Sequence, residues 1–126
     1  LISQALILQK KQILMVKQFV QRGDIVWNFP GGGIEENETP EDACIREVKE
    51  ETGFDVEIKS LLLKTSNKFT FIAKIIGGEL SLDLKNEANS DLIEVAWISI
   101  DETEKFDQIT APLLKMIQKD NIVINS

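Results

Sequence analysis

Between Gly32 and Phe54 the chain reads GGIEENETPEDACIREVKEETGF, a segment that dictates one amphipathic helix and the loop leading into it. The start signals are complete: Thr39 suits the N-cap, Pro40 the first helical position, and Glu41 and Asp42 the positive end of the helix dipole. Gly53 is a natural C-terminal cap, so the helix is expected to run to about Thr52. At 3.6 residues per turn, Glu47, Glu50 and Glu51 fall at i, i+3 and i+4 and share one face. Ile45, Val48 and Thr52, with Cys44 beside them, form the opposite and largely apolar stripe, suited to docking on a sheet. The acidic face is expected to point outward into a cleft.

Taken alone, that face is poor helix design. Like charges at i,i+4 cost a few tenths of a kcal/mol, and acids in the last turn oppose the dipole. Arg46, four residues before Glu50, offsets part of this. A divalent cation would turn the cluster into a favourable site, and oxygen-only ligands select a hard ion such as Mg²⁺ or Mn²⁺. The chain contains no histidine, which argues against zinc. A Glu-rich helix is ordinarily just a solvated face, but such a helix has no need of Gly32, Glu38 and Gly53 at fixed distances from it.

The rest of the chain sets bounds. Its 126 residues, 43% of them apolar, suit one domain spanning 1–126 with one core. No apolar run approaches the roughly eighteen residues that cross a bilayer, and no stretch reads as a signal peptide. The single cysteine, Cys44, excludes an internal disulfide and fits a reducing cytoplasm. A net charge of −7 repels a polyphosphate backbone, so nucleic-acid polymers are not expected partners. A small phosphate-rich ligand is compatible once cations neutralise the local field.

Residues 5–8 and 12–19 read as a hairpin or meander of two strands around a Gln-Lys-Lys break. Residues 22–24 read as a turn and 25–29 as a short strand ending at Pro30, after which Gly31, Gly32 and Gly33 allow backbone conformations closed to other residues. Strands are expected at 56–65, 68–76, 79–84 and 93–100, with a turn at Gly77-Gly78 and a second helix over 111–119 entered through Pro112. This order implies a mixed sheet with helices on its faces.

The fixed positions form the pattern Gly-x5-Glu-x7-Arg-Glu-U-x-Glu-Glu-x-Gly-U, where the apolar U positions are Val48 and Phe54. A chance match at its seven defined residues is of order 10⁻⁸. It resembles the signature of the Nudix hydrolases at every fixed position. That resemblance implies an α/β fold, an α/β/α sandwich on a mixed sheet, and metal-assisted cleavage of a pyrophosphate bond. It makes Glu47, Glu50 and Glu51 candidate ligands of Mg²⁺, with Mn²⁺ as a substitute, and adds the backbone carbonyl of Gly31. One of those glutamates, or Glu38, would orient or deprotonate water, and Arg46 would position the carboxylates by ion pairing. A further ligand is implied ahead of the tryptophan-bearing late strand: Asp91, with Glu94 and Glu87 as alternatives.

The substrate is less constrained. Trp27 and Phe29 share one face of their strand and Asn28 takes the other, and either face could contribute to a base pocket beside Gly32. Phe69 and Phe71 alternate in the same way and read as core. Where MutT-like members that remove 8-oxoguanine nucleotides carry an asparagine, this chain has Thr110, with Asn28 or Gln108 as substitutes. The chain has no tyrosine, which diadenosine polyphosphate members carry past the signature, and residues 60–71, which follow it, lack the proline of the ADP-ribose members. The resulting expectation is a nucleoside triphosphate pyrophosphohydrolase, monomeric or homodimeric, acting on a small nucleotide. ADP-ribose or nucleotide-sugar hydrolysis is the alternative, and a catalytically silent nucleotide-binding module the non-enzymatic one.

Overall fold

The computed structural model describes residues 1–20 and 23–119. Their strands are β1 (Ile2–Leu6), β2 (Leu8–Gln9), β3 (Gln12–Phe19), β4 (Ile25–Asn28), β5 (Gly31–Gly33), β6 (Phe54–Lys64), β7 (Lys68–Gly78) and β8 (Leu92–Ser99). Helix α1 (Pro40–Thr52) lies between β5 and β6, and α2 (Ala111–Lys119) follows β8.

The expected α/β/α layering is present, with the strands divided between two sheets. One has the order β5-β1-β7-β6 and is mixed, because β1 and β7 run parallel while the other pairs are antiparallel. In the other, entirely antiparallel, β3 pairs with β2, β4 and β8. Successive residues of a strand point to opposite faces, and here both faces are covered. Leu6, Ile13, Met15 and Ile72 pack with Leu113, Leu114 and Ile117 of α2. Their neighbours Ala5, Ile7, Leu14, Phe71 and Ala73 pack with Cys44 and Val48 of α1. Burial on both sides is why 13–16 reads as an unbroken apolar run instead of an alternating one.

Helix α1 forms as its signals dictate. Thr39 Oγ1 accepts from the Asp42 N–H at 3.0 Å, and Gly53, at φ +85°, donates its N–H to Lys49 O at 3.0 Å. Its buried residues are Ala43, Cys44, Val48, Glu51 and Thr52, while Ile45 is only half-buried.

Three sequence expectations change. Residues 5–8 are not one strand: the chain passes between sheets at Ile7, so β1 joins the mixed sheet and β2 pairs with β3. The hairpin turn is Lys10-Lys11, at φ +48° and +63°, the backbone that a two-residue connection needs to match strand twist. Gly77 and Gly78 are not a turn but the end of β7, paired with Asp55 and Phe54. Residues 79–84 form no strand, because they have no strand beside them and instead cross the C-terminal end of α1, where the Ser81 N–H donates to Thr52 O at 2.8 Å. Of the turn at 22–24, Arg22 lies outside the described residues, and Gly23 adopts φ +91°.

Candidate active site

Strand β5 and helix α1 meet at the centre of the site. β5 runs antiparallel to β1, with Gly31 opposite Gln4 and Gly32 opposite Ser3. None of its three glycines has a positive φ, so conformational freedom is not what they supply. The reason is space. A Cβ on Gly31 would collide with Ser3 O and Gln4, and one on Gly32 with the Glu47 carboxylate, whereas Gly33 has open space around it. This close approach lets the Gly31 N–H donate to Glu51 Oε1 at 2.8 Å.

Arg46 organises the carboxylates around it. Its Nε and Nη2 grip Glu38 at 2.7 and 2.9 Å, Nη1 meets Glu47 at 2.6 Å and Glu50 at 3.5 Å, and Nη2 also donates to Gly33 O at 3.0 Å. The Glu35 N–H adds a bond to Glu38 at 3.0 Å. Arg46 therefore ties the loop of residues 34–39 to α1.

The acids have separate electrostatic fates. The guanidinium of Arg46 and the Glu35 N–H hold the Glu38 carboxyl down to about 2. Burial pushes Glu51 up to about 8, and the neighbouring charges of Glu47, Asp91 and Glu50 add to this while the Gly31 N–H opposes it. Burial also raises Glu47, despite its ion pair with Arg46. Only 7% of Glu51 is exposed, so its carboxyl is directed inward, not out with the rest of the acidic face.

Glu47, Glu51 and Asp91 line one cavity of about 430 Å³, together with Asn28, Phe29 and all three glycines of β5. Glu50 lies apart, in a hollow of about 530 Å³ shared with Glu79 and Asp83. Among the described residues no three carboxylates are drawn tightly enough to form a finished ion cage. The donor set nevertheless fits a hard divalent cation: its side-chain donors are carboxylate oxygens, and Glu51 is buried among like charges with one N–H as its hydrogen-bond partner.

Alternation decides which base-pocket face is available. Asn28 shares its sheet face with Val16 and Gln18 and lines the cavity; Phe29 is 3% exposed, belongs to the α2 core and also lines the cavity. Trp27 lines neither this cavity nor the next, because its ring packs on the α2 side under the ammonium groups of Lys17 and Lys105, at 5.8 and 5.5 Å. A second cavity of about 540 Å³ shares Gln18, Asn28 and Asp91 with the first and is walled by Phe19, Val20, Val26, Ile109 and Asp107. Gln18 Nε2 donates to Asp91 Oδ2 at 3.0 Å. The alternatives to Asp91 are elsewhere: Glu94 is opposite Lys17 in the β3–β8 pair, and Glu87 is exposed. Thr110 is buried and bonded to Asp107, Gln108 is exposed, and Phe69 and Phe71 stack in the α1 core. The sequence carried no signal for Gln18, Val26 or Ile109, since only strand register and the placement of α2 bring them to this wall.

Comparison with known proteins agrees with the geometry. The family model of the NUDIX domain matches residues 3–119. The chain belongs to the Nudix hydrolase family. A NUDIX hydrolase from Nitrosomonas europaea superposes with a TM-score of 0.76 at 24% identity, over 98% of this chain and 95% of that one. An ADP-ribose pyrophosphatase of Methanocaldococcus jannaschii is 34% identical over 102 residues, 71% of this chain and 60% of that protein. An 8-oxo-dGTP diphosphatase of Proteus vulgaris is 51% identical over 43 residues, 34% of this chain and 38% of the relative. The chain spans less than two thirds of the length of the last two relatives. No described helix is long and apolar enough to cross a membrane.

Proposed function

We propose that this chain hydrolyses a pyrophosphate bond in a nucleoside diphosphate linked to a further group, most favourably a nucleoside triphosphate, giving the monophosphate and pyrophosphate. The observation that carries the reading is the adjacency of two cavities: the one lined by Glu47, Glu51 and Gly31–Gly33 shares Gln18, Asn28 and Asp91 with one walled by Val26, Phe19 and Ile109. A diphosphate belongs in the first and a nucleoside in the second, with the Asn28 amide available to a base edge.

Gly31 through its carbonyl, Glu47, Glu51 and Asp91 line the first cavity and are assigned as the groups that hold Mg²⁺, for which Mn²⁺ substitutes; Glu50, in the neighbouring hollow but bonded to the same Arg46 Nη1 as Glu47, is assigned with them. Bound there, the ion would offset the diphosphate charge and lower the pKa of water so that hydroxide is supplied at neutral pH. Glu38 and Arg46 act as a brace: with both Glu38 oxygens on the guanidinium and its carboxyl held to about 2, Glu38 is a poor proton acceptor. Gly32 gives the Glu47 carboxylate room against β5. Trp27 supports the Asn28 strand from the α2 side, in place of a direct substrate contact, whereas Phe29, packed in the same core, also lines the first cavity beside Asn28.

Replacement of Glu50 or Glu51 by Gln should lower turnover of nucleoside triphosphates by several orders of magnitude with the fold intact. Near-normal turnover would remove the assignment. The similarity to an ADP-ribose pyrophosphatase favours a second reading with the same chemistry on ADP-ribose or a nucleotide sugar. Chromatography of the products separates the two, because triphosphates alone release inorganic pyrophosphate. Nucleotide binding by calorimetry without any hydrolysis would instead mark a silent binding module.

A further inference from the structure

The last turn of α1 leaves carbonyls without helical partners, and the segment of residues 79–91 supplies two of the missing donors. The Ser81 N–H takes Thr52 O, and Asn89 Nδ2 takes Glu50 O at 2.9 Å across 39 residues of sequence. The same Nδ2 donates to Asp83 O at 3.0 Å, so one amide joins the helix end to the far side of its own loop. Asn89 is 1% exposed. Its Oδ1 is buried with no hydrogen-bond partner among the described residues. A buried amide with an unanswered acceptor is costly to keep, and what it provides here is its pair of N–H donors.

Two residues further on, Asp91 is held from the other side. Its carbonyl accepts from the Phe19 N–H at 2.9 Å and its carboxylate from Gln18 at 3.0 Å. The segment is thus fastened to α1 at Asn89 and to β3 at Asp91, and that second point lies on the wall shared by both cavities. Within the segment the order is local: turns close from Asn86 and Lys85 onto Asp83, and one 3-10 turn, Glu87–Asn89, precedes β8, while residues 79–86 form neither helix nor strand.

We infer that Asn89 is a positioning residue of the hydrolytic site, whose amide locks the loop onto the end of α1 and so sets the Asp91 carboxylate on the wall it shares with Glu47 and Glu51. The inference rests on the reaction proposed above. Asn89 touches neither cavity, so it acts only through the backbone of Glu50 and the placement of Asp91.

The test is a double-mutant cycle on the full chain with Asn89→Ala and Asp91→Ala, read in three ways. In the Asn89→Ala variant, kcat should fall by about ten- to a hundredfold with KM held within about twofold. Mn²⁺ binding to the substrate-free protein, followed by electron paramagnetic resonance, should weaken by about tenfold or more. In an Asp91→Ala background the Asn89 substitution should add nothing to either loss. If the loss is equal in both backgrounds, or only the melting temperature moves, Asn89 is a structural residue and the inference is overturned. Asn89→Ser serves if the alanine variant does not fold, with an intermediate loss expected; unchanged kcat and Mn²⁺ affinity in that variant also overturn it. Glu51→Gln separates the levels of failure. If that variant turns over normally, the proposed reaction falls; if it is inactive while Asp91→Ala is fully active, only the role of Asn89 falls.

Discussion

The burial of Glu51 has a thermodynamic consequence that can be measured without substrate. In the unfolded chain its carboxyl releases a proton near the ordinary value of 4.5, whereas the folded protein retains the proton up to about 8. Between those limits the unfolded state binds fewer protons, so rising pH favours unfolding of the metal-free protein. Each pH unit is worth at most about 1.4 kcal/mol, giving a ceiling of about 5 kcal/mol over the interval. That is a large share of the ~5–15 kcal/mol that stabilises a typical domain. Glu47, raised by the same burial, adds a slope of the same sign. Glu38 acts oppositely, but its carboxyl is lowered to about 2, so its effect falls below pH 4.5 and leaves the window clear. The assay is urea unfolding in a chelator from pH 4.5 to 8.5, for the wild type and Glu51→Gln. The glutamine keeps an oxygen for the Gly31 N–H and removes the titration. The two proteins should be nearly matched at pH 4.5, and the variant should become the more stable by up to a few kcal/mol at pH 8. Saturating Mg²⁺ should erase most of the wild-type decline, because a cation favours the ionised carboxylate. Parallel pH profiles for the two proteins would refute the buried, protonated Glu51.

Other substitutions test the site's construction. Gly31→Ala and Gly32→Ala should each impair folding or turnover severely, because their Cβ atoms meet Ser3 O and the Glu47 carboxylate, whereas Gly33→Ala should be tolerated; thermal melts and kcat values for the three variants check the contrast. Arg46→Lys surrenders the two-point grip on Glu38 and should lower kcat by about ten- to a hundredfold at saturating Mg²⁺. Thr39→Ala removes the N-cap bond and should cost about 1 kcal/mol in urea unfolding, with kcat unchanged per folded molecule.

Local chemistry was legible in the sequence. The cap at Thr39, the stop at Gly53 and the acid spacing on α1 depend on residues within one helix, and each formed as its chemistry requires. The family followed from the same segment, because Gly32, Glu38, Arg46, Glu47, Glu50, Glu51 and Gly53 occupy fixed positions on one helix and its immediate flanks. Where the reading failed, the deciding partner was remote. The alternation of Leu80, Leu82 and Leu84 suggested a strand, but a strand needs a neighbour, and the chain there meets the end of a helix.

The tertiary structure decided what each of those residues faces. Gly31 and Gly32 suggested backbone conformations closed to other residues and are instead spaces kept open for Gln4 and Glu47, a fact set by the pairing of β5 with β1 and the approach of α1. Three similar glutamates on one helix face became unequal: Glu51 buried, Glu47 held by Arg46, Glu50 turned to another hollow. Asn28 and Trp27, adjacent in sequence, were sent to opposite sides of a sheet, one to the cavity and one to the α2 core. Helix periodicity and capping are properties of a short segment, and so the sequence carried them alone. Burial, register and the meeting of Asp91 with Glu47 and Glu51 arise only when distant strands pair, and no local pattern encodes them.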